Sequence, residues 1–272
     1  MSATLRVATA NAAGGRDQRT GLPDLSSWAA AAAALDVDVL AVQEVDHLQH
    51  RSGRADQTAE IAAACAGEGP RWTARFVAAV HGTPGSRHTM TPAPSTVDDE
   101  PSAGIALLSR FPVRGWQELR MRPSRAHLPV RLPPTAPRRF IWVPDEQRVA
   151  LAGVVEVPGG DVTVICTHLS FAPTRAPGQL RQIVKWARSL PRPLVLLGDL
   201  NLPGRVPPLL TRWSPVARVA TYPSPRPRVQ LDHVLVDKGA HMIRVQAAGT
   251  RVVANSDHLA LRAELRLDGG PE

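Results

Sequence analysis

Short apolar runs alternate along the chain with stretches of helical spacing, and this alternation predicts an α/β protein. Strands are predicted at residues 5–11, 37–44, 72–80, 102–110, 147–157, 161–170, 193–201, 230–237, 241–249 and 256–267. Helices are predicted at residues 28–35, 54–66 and 175–190. Ser26 or Ser27 is expected to cap the first helix, because serine side chains accept hydrogen bonds from the free N–H groups of a first turn.

The order strand, helix, strand, then polar residues at the end of the strand occurs once in each half of the chain. Two such layers packed face to face would form a sandwich with helices outside. Residues 81–101, rich in Thr, Pro, Ser and acidic residues, and residues 121–144, crowded with Pro and Arg, predict two long loops. No linker segment divides the sequence, so we expect one domain over residues 1–272.

Composition restricts the class of protein. The hydrophobic content of 43% is typical of a globular chain, and no apolar run is long enough to span a bilayer. The beginning, MSATLRVATAN, lacks the basic-then-apolar layout of a signal peptide, so a cytoplasmic location is expected. The two cysteines, Cys65 and Cys166, cannot form a disulfide framework or a cysteine zinc site.

The net charge of +8 favours polyanionic partners such as nucleic acid. Nearly all of this charge is arginine, since Lys185 and Lys238 are the only lysines. The chain has no dense basic run and few aromatic residues for base stacking. A basic surface that only solvates the protein therefore explains the charge as well as a nucleic-acid groove does.

Polar residues follow or begin five of the predicted strands. These residues are Asn11, Glu44, His168, Asp199 with Asn201, and Asp257 with His258. One such residue usually belongs to a turn, but five coincident cases predict a shared site, because strand ends fix the backbone and let side chains reach out. Carboxylate and amide oxygens favour Mg²⁺ or Mn²⁺ over zinc, and the sequence lacks phosphate-loop, dinucleotide and nucleophile-elbow motifs.

The same residues carry a family resemblance. The order and spacing of VATAN, LAVQEV, GIALLSRFPV, VICTHLS, LVLLGDLN, QLDHVLV and SDHLALRAEL resemble the endonuclease/exonuclease/phosphatase superfamily, which includes deoxyribonuclease I. The resemblance covers nearly the whole chain. It implies a four-layered α/β sandwich, with two packed, mostly antiparallel sheets flanked by helices. It also implies divalent-metal-dependent hydrolysis of phosphate esters at one edge of the sheets.

The resemblance assigns roles to the metal site and to the base. Glu44 of the QE motif matches the principal metal ligand, and Asn11 and Asp257 match residues that line or complete that site. His258 of the SDH motif matches the general base. Asp232 of LDH matches the carboxylate that orients this imidazole and stabilises its protonated form.

The remaining roles concern the phosphate. Asp199 and Asn201 of GDLN match groups that position the attacking water and hold phosphate oxygens. His168 of THLS matches a histidine that contacts the phosphate and can protonate the leaving group. Arg148 lies near the position of a phosphate-binding arginine in some relatives. In deoxyribonuclease I a glutamate supports the THL-type histidine, and because its counterpart here falls near Ala103, we expect a different orientation of His168.

The substrate class stays open among phosphoesters. The inositol-phosphatase signature Trp-Cys-Asp-Arg is missing where this chain has QLDHV, and the THL motif is generally absent from the abasic-site endonucleases. A phosphodiesterase or nuclease, with nucleic acid as the leading substrate, is the first hypothesis. The alternatives are a phosphomonoesterase acting on a small phosphorylated metabolite or lipid headgroup, and a catalytically inactive relative that binds polyanions.

Overall fold

Two large β-sheets account for most of the regular structure. The computed structural model describes residues 3–86, 88–124, 127–131, 139–237, 243–254 and 256–268. The strands are β1 (Ala3–Asn11), β2 (Val39–His47), β3 (Thr73–His81), β4 (Thr91–Pro92), β5 (Ser102–Ser109), β6 (Val113–Met121), β7 (His127–Arg131), β8 (Phe140–Pro144), β9 (Arg148–Val157), β10 (Gly160–His168), β11 (Leu194–Asp199), β12 (Ser214–Pro215), β13 (Asp232–Val236), β14 (Ile243–Val252) and β15 (Leu259–Leu267). The α-helices are α1 (Leu25–Ala33), α2 (Gln57–Ala66), α3 (Ala176–Ala187) and α4 (Val206–Thr211).

Both large sheets are mixed and mostly antiparallel. The first has seven strands in the order β14-β15-β1-β2-β5-β3-β4, and the second has six in the order β12-β13-β11-β10-β9-β6. The pairs β1/β2 and β10/β11 are parallel, whereas the other pairs in these two sheets are antiparallel. None of the helices in the described ranges is long and apolar enough to cross a membrane.

Strand β1 carries apolar residues on both of its faces, with Thr4, Arg6 and Thr9 between them. Leu5 and Val7 point into the core between the two sheets, whereas Ala8 and Ala10 pack toward α1 and α2 on the outer face. A strand buried on both faces has no solvated side to alternate with. Burial of each large aliphatic side chain contributes about 1.5–3 kcal/mol.

The second sheet repeats this arrangement with helices on its own outer face. Val195 and Leu197 of β11 join the central core, while Leu194 and Leu196 pack in the cluster that contains residues of α3. The layers therefore follow the order helices, seven-stranded sheet, six-stranded sheet, helices. The predicted four-layered α/β sandwich is confirmed.

The parallel pairs bring the polar strand ends to one edge of the sandwich. Asn11 is aligned with Gln43 in the β1/β2 pair, and His168 is aligned with Asp199 in the β10/β11 pair. The two edges meet across the core, because Asn11 Nδ2 donates to Asp199 Oδ2 at 3.3 Å. The carboxyl-terminal ends of four strands from both sheets therefore share one location.

The beginning of the first helix differs from the prediction. Helix α1 begins at Leu25 with Asp24 at the N-cap position, so Ser26 and Ser27 lie exposed within the first turn rather than at the cap. The earlier beginning places Leu25, Trp28 and residues 29 and 32 on one buried face, at the spacing of an amphipathic helix. Burial of Leu25 therefore explains the earlier beginning.

Residues 121–144 are not a loop throughout. Strands β7 and β8 pair antiparallel there as a separate two-stranded ribbon, and residues 125–126 and 132–138 lie outside the described part of the chain. Residues 140–143, Phe-Ile-Trp-Val, are aromatic or β-branched and favour a strand despite the proline and arginine residues nearby. Pro129 is tolerated because each strand of a two-stranded ribbon has a free edge.

Strand β6 was not predicted from the sequence. It forms the edge of the second sheet and pairs with β9. A register shift between Val113 and Gly115 interrupts the two-residue alternation, and most of its side chains are only half-buried. An edge strand with a bulge therefore gives a weak periodic signal.

We expect Gly198→Ala to destabilise the protein beside the polar edge. A Cβ atom at Gly198 would lie 2.1 Å from the carbonyl oxygen of Thr167 in the neighbouring strand, so β10 and β11 would have to separate. Overpacking of this kind costs about 1–3 kcal/mol. Gly115→Ala is the matched control, because a Cβ atom there has no neighbour within 4 Å among the described residues. Equal melting temperatures for the two variants would contradict the argument.

Candidate active site

The polar edge of the sandwich opens into one cavity of about 580 Å³. Seven of the nine residues singled out in the sequence line it, namely Glu44, Arg148, His168, Asp199, Asn201, Asp257 and His258. The other two, Asn11 and Asp232, are buried and hydrogen-bonded to residues of the lining. The structure thus brings all nine residues together, although they are spread over most of the chain.

His258 and Asp232 form a buried pair. Nδ1 of His258 lies 2.9 Å from Oδ2 of Asp232, which is the first residue of β13 and is fully buried. An ionised carboxylate only accepts hydrogen bonds, so Nδ1 of His258 carries the proton. Nε2 of the same ring lies 3.7 Å from Oδ2 of Asp199. The ring of Tyr222 packs against this imidazole with a centroid distance of 4.8 Å.

Negative charge around His258 controls its protonation. Burial by itself would lower its pKa, but the hydrogen bond to Asp232 and the charges of Asp232, Asp199 and Asp257 raise the pKa to about 10. Burial, followed by the charge of Asp232, raises the pKa of Asp199 to about 7. The surroundings therefore favour the charged form of His258 and the neutral form of Asp199.

A β-bulge sets the position of Glu44. The β2/β5 register shifts between Gln43 and Val45, and Glu44 has a φ of 51°, in the left-handed region that non-glycine residues seldom adopt. Glu44 is exposed whereas Gln43 and Val45 are buried, so the bulge turns the carboxylate out of the strand. Asn11 Nδ2 donates to Glu44 Oε1 at 3.0 Å. The predicted strand ended at Glu44, but β2 continues to His47.

Asn201 also lies in a left-handed conformation, with a φ of 50°. Its backbone N–H donates to Asp199 Oδ1 at 3.0 Å, and its Nδ2 donates to the carbonyl of Leu169 at 2.9 Å. The same Nδ2 lies 3.2 Å from Nε2 of His168. This turn after β11 therefore fixes the Asp199 carboxylate and places an amide next to the imidazole.

The donor set has the composition of a hard-cation site. Burial, followed by the charge of Glu44, raises the pKa of Asp257, whereas the charge of His258 lowers it. Oδ1 of Asp232 is buried and has no hydrogen-bond partner among the described residues. Asp199, Asp232 and His258 each offer an atom within 4.8 Å of the others, a grouping that could hold a metal ion. Carboxylate oxygens dominate the set, and Mg²⁺ and Mn²⁺ prefer such ligands.

Arg148 has contacts that the sequence did not predict. Its Nη1 lies 3.2 Å from Nδ1 of His168, and its Nη2 lies 3.4 Å from Oε2 of Glu146. Glu146 also lines the cavity, together with Arg51 and Tyr222. These last three residues lie outside the predicted strands and helices, so neither spacing nor residue type identified them.

Comparisons with known proteins agree with this fold. The model of the endonuclease/exonuclease/phosphatase family matches residues 8–258. An endonuclease/exonuclease/phosphatase from Beutenbergia cavernae DSM 12333 is 25% identical with a TM-score of 0.69, and the match covers 98% of this chain and 72% of that chain. No curated protein matches the sequence.

Two further solved structures share the fold at lower identity. Sphingomyelinase C from Streptomyces griseocarneus is 18% identical with a TM-score of 0.58, covering 96% of this chain and 99% of that chain. Mannosyl-6-phosphatase Bt3783 from Bacteroides thetaiotaomicron VPI-5482 is 16% identical with a TM-score of 0.60, again covering 96% and 99%. The family match over nearly the whole chain, together with the carboxylate and histidine cluster, leads to one conclusion: this chain belongs to the endonuclease/exonuclease/phosphatase family and is a phosphoric ester hydrolase.

Proposed function

We propose that this protein is a divalent-metal-dependent phosphodiesterase, with nucleic acid as its leading substrate and His258 as the base that activates water. One observation carries the proposal: an imidazole oriented by a buried carboxylate shares a cleft with a set of oxygen ligands. A base needs a fixed ring orientation, and the hydrogen bond from Nδ1 of His258 to Asp232 leaves Nε2 as the nitrogen that can exchange a proton. Hydrolysis also needs compensation for the charge that builds up on phosphorus-bound oxygens.

Glu44, Asn11 and Asp257 are the residues proposed to hold the ion. Glu44 and Asp257 line the cleft, and Nδ2 of Asn11 donates a hydrogen bond to Oε1 of Glu44. Burial, followed by the charge of Glu44, raises the pKa of Asp257, and the oxygen donors of these residues fit Mg²⁺ or Mn²⁺. When bound, the ion would supply positive charge that neutralises the carboxylates and polarises the phosphate.

The electrostatics of His258 explain why catalysis would need that counter-charge. With a pKa of about 10, His258 is protonated at neutral pH and has no lone pair to accept a proton. Neutralising Asp257 and Asp199 removes part of the field that raises this pKa. The neutral imidazole can then accept the proton of a water molecule at Nε2, while Asp232 stabilises the resulting imidazolium.

The preference for a polynucleotide rests on charge. The net charge of +8 favours polyanions, and the guanidinium groups of Arg51 and Arg148 border the cleft. The name of the mannosyl-6-phosphatase describes a monoester substrate for a protein of this fold, so a phosphomonoesterase is the second candidate. A lipid headgroup is a third, because the fold also includes a sphingomyelinase. A catalytically inactive polyanion-binding relative is disfavoured by the convergence of all nine residues.

Chelation should abolish hydrolysis, and Mg²⁺ or Mn²⁺ should restore it. Full activity in excess chelator would contradict the proposal.

His258 and Asp199 both have raised pKa values, so the folded protein binds their protons more tightly than the unfolded chain does. Stability of the ion-free protein should therefore decrease as pH rises from about 4, the ordinary carboxyl pKa, to about 10, the pKa of folded His258. The ion competes with these protons, so the melting-temperature increase at a fixed ion concentration should be larger at pH 8 than at pH 6.

Replacing His258 by Ala should lower kcat by a factor on the order of 10² to 10⁴ while the fold survives. Asp232→Asn should remove a large part of the same factor, because an amide can select the wrong tautomer and does not stabilise the imidazolium. The two losses should not add in the double variant, since both residues serve one proton transfer. His88→Ala, at an exposed position outside the cleft lining, controls for the loss of a histidine. Fully additive losses would make Asp199 the better candidate for the base.

Cleavage of DNA or RNA should weaken steeply with salt, because each neutralised phosphate releases counterions. Two phosphate contacts predict a rise in KM of about tenfold between 50 and 200 mM salt. A small aryl phosphodiester is the matched substrate, and its KM should change much less. If the purified protein cleaves only a small monoester and no polynucleotide, the phosphatase alternative replaces the nuclease.

A further inference from the structure

Donor groups face both ring nitrogens of His168. Arg148 Nη1 lies 3.2 Å from Nδ1, and Asn201 Nδ2 lies 3.2 Å from Nε2. An imidazolium would direct both of its N–H groups at these donors inside a buried pocket, where Arg148 and His168 are 8% and 9% exposed. The cationic form of His168 is therefore strongly disfavoured by its neighbours.

The stronger donor decides which nitrogen carries the proton in the neutral ring. Arg148 has only N–H donors and keeps its charge at every physiological pH, so it cannot accept a bond from Nδ1–H. Asn201 Nδ2 is neutral and already donates to the carbonyl of Leu169. Hydrogen bonds to charged groups are stronger than those between neutral groups. Nδ1 of His168 should thus accept from Arg148, which leaves the proton on Nε2.

We propose that Arg148 is a positioning residue that fixes His168 as a neutral imidazole with its proton on Nε2, so that His168 donates a hydrogen bond to a phosphate oxygen and does not protonate the leaving group. The second half of this statement rests on the proposed function. Nε2–H has one acceptor nearby, Oδ2 of Asp199 at 3.5 Å, and His168 lines the cleft where a phosphate would lie. A neutral imidazole is far too weak an acid to give up Nε2–H, whereas it is a good hydrogen-bond donor.

Two further observations support the assignment. Burial, the charge of Arg148 and the charge of His258 all lower the pKa of His168. Ala103 also lines the cavity, and its methyl side chain offers nothing that could stabilise a cation. His258 has the opposite environment, because its Nδ1 faces a carboxylate.

The tautomer can be read directly from ¹⁵N NMR of histidine-labelled protein at pH 7.5. His168 should show a protonated Nε2 and an unprotonated Nδ1. His233 is an internal control for the same tautomer, since its Nε2 lies 2.9 Å from the carbonyl oxygen of Leu202, which can only accept. Arg148→Met should change the His168 resonances and leave those of His233 in place. A doubly protonated His168, or a proton on Nδ1 in the unmodified protein, would overturn the proposal even if the variant failed to fold.

A matched pair of variants tests the consequence for catalysis on a phosphodiester with an alkoxide leaving group. His168→Gln keeps one donor and one acceptor, so kcat should stay within about tenfold of the unmodified enzyme, whereas His168→Ala should lose about 10²–10³. Equal losses in both variants would identify His168 as a general acid and refute the proposal. An unmodified protein that hydrolyses no diester would refute the proposed function instead, and the NMR measurement would still decide the tautomer.

Discussion

Five carboxylates line or adjoin a single cleft, and their mutual repulsion shapes the chemistry around them. Asp199 and Asp257 have raised pKa values because they are buried and lie near further carboxylates. The same negative field keeps His258 protonated in the absence of a cation. Asn11 reduces the repulsion only partly, by donating from one amide nitrogen to Glu44 and Asp199 together. A site built this way is an incomplete charge balance, and a divalent cation is the simplest group that completes it.

The fold holds these groups close despite their repulsion because the strands fix their backbones. Glu44 and Asn201 adopt left-handed conformations that cost about 1–3 kcal/mol each, and such residues persist only where the surrounding structure over-determines them. Here the β2/β5 ladder continues on both sides of Glu44, and hydrogen bonds to Asp199 and to the carbonyl of Leu169 hold Asn201 just after the end of β11. The apolar core between the sheets offsets the cost, since burial of each large aliphatic side chain contributes about 1.5–3 kcal/mol. The free energy gained by burial in the core thus offsets the backbone strain at Glu44 and Asn201.

Much of the fold could be predicted from the sequence because the central strands are buried on both faces. β11 is a continuous apolar run that ends at Asp199, and β1 carries apolar residues on both faces before it ends at Asn11, so both the strands and the functional residues were visible. The bulge at Glu44 could not be predicted, since it depends on the pairing of β2 with β5 rather than on local sequence. The edge strand β6 and the ribbon of β7 and β8 were missed for the related reason that half-exposed strands lack a strong pattern.

The side-chain contacts within the cleft were harder to predict than the identity of the residues that line it. Arg148 was singled out as a phosphate-binding residue, yet its guanidinium already contacts His168 and Glu146. Such partnerships join residues from different elements through side-chain reach, which spacing along the chain does not encode. Tyr222, which packs against His258, is the chain's single tyrosine and lies in a segment rich in proline, so nothing local marked it.

Strand direction explains how two histidines in one cleft can have opposite protonation. His168 is the last residue of β10, and its antiparallel neighbour β9 begins at Arg148, so a strand end and a strand beginning meet at the same edge. β11 and β13 repeat this geometry, with Asp232 beginning β13 beside the site. Arg148, the first residue of β9, contacts the imidazole of His168, and Asp232, the first residue of β13, contacts the imidazole of His258. The guanidinium of Arg148 favours a neutral ring at His168, and the carboxylate of Asp232 favours a protonated ring at His258. Under the proposed mechanism, His168 would donate a hydrogen bond and His258 would transfer a proton.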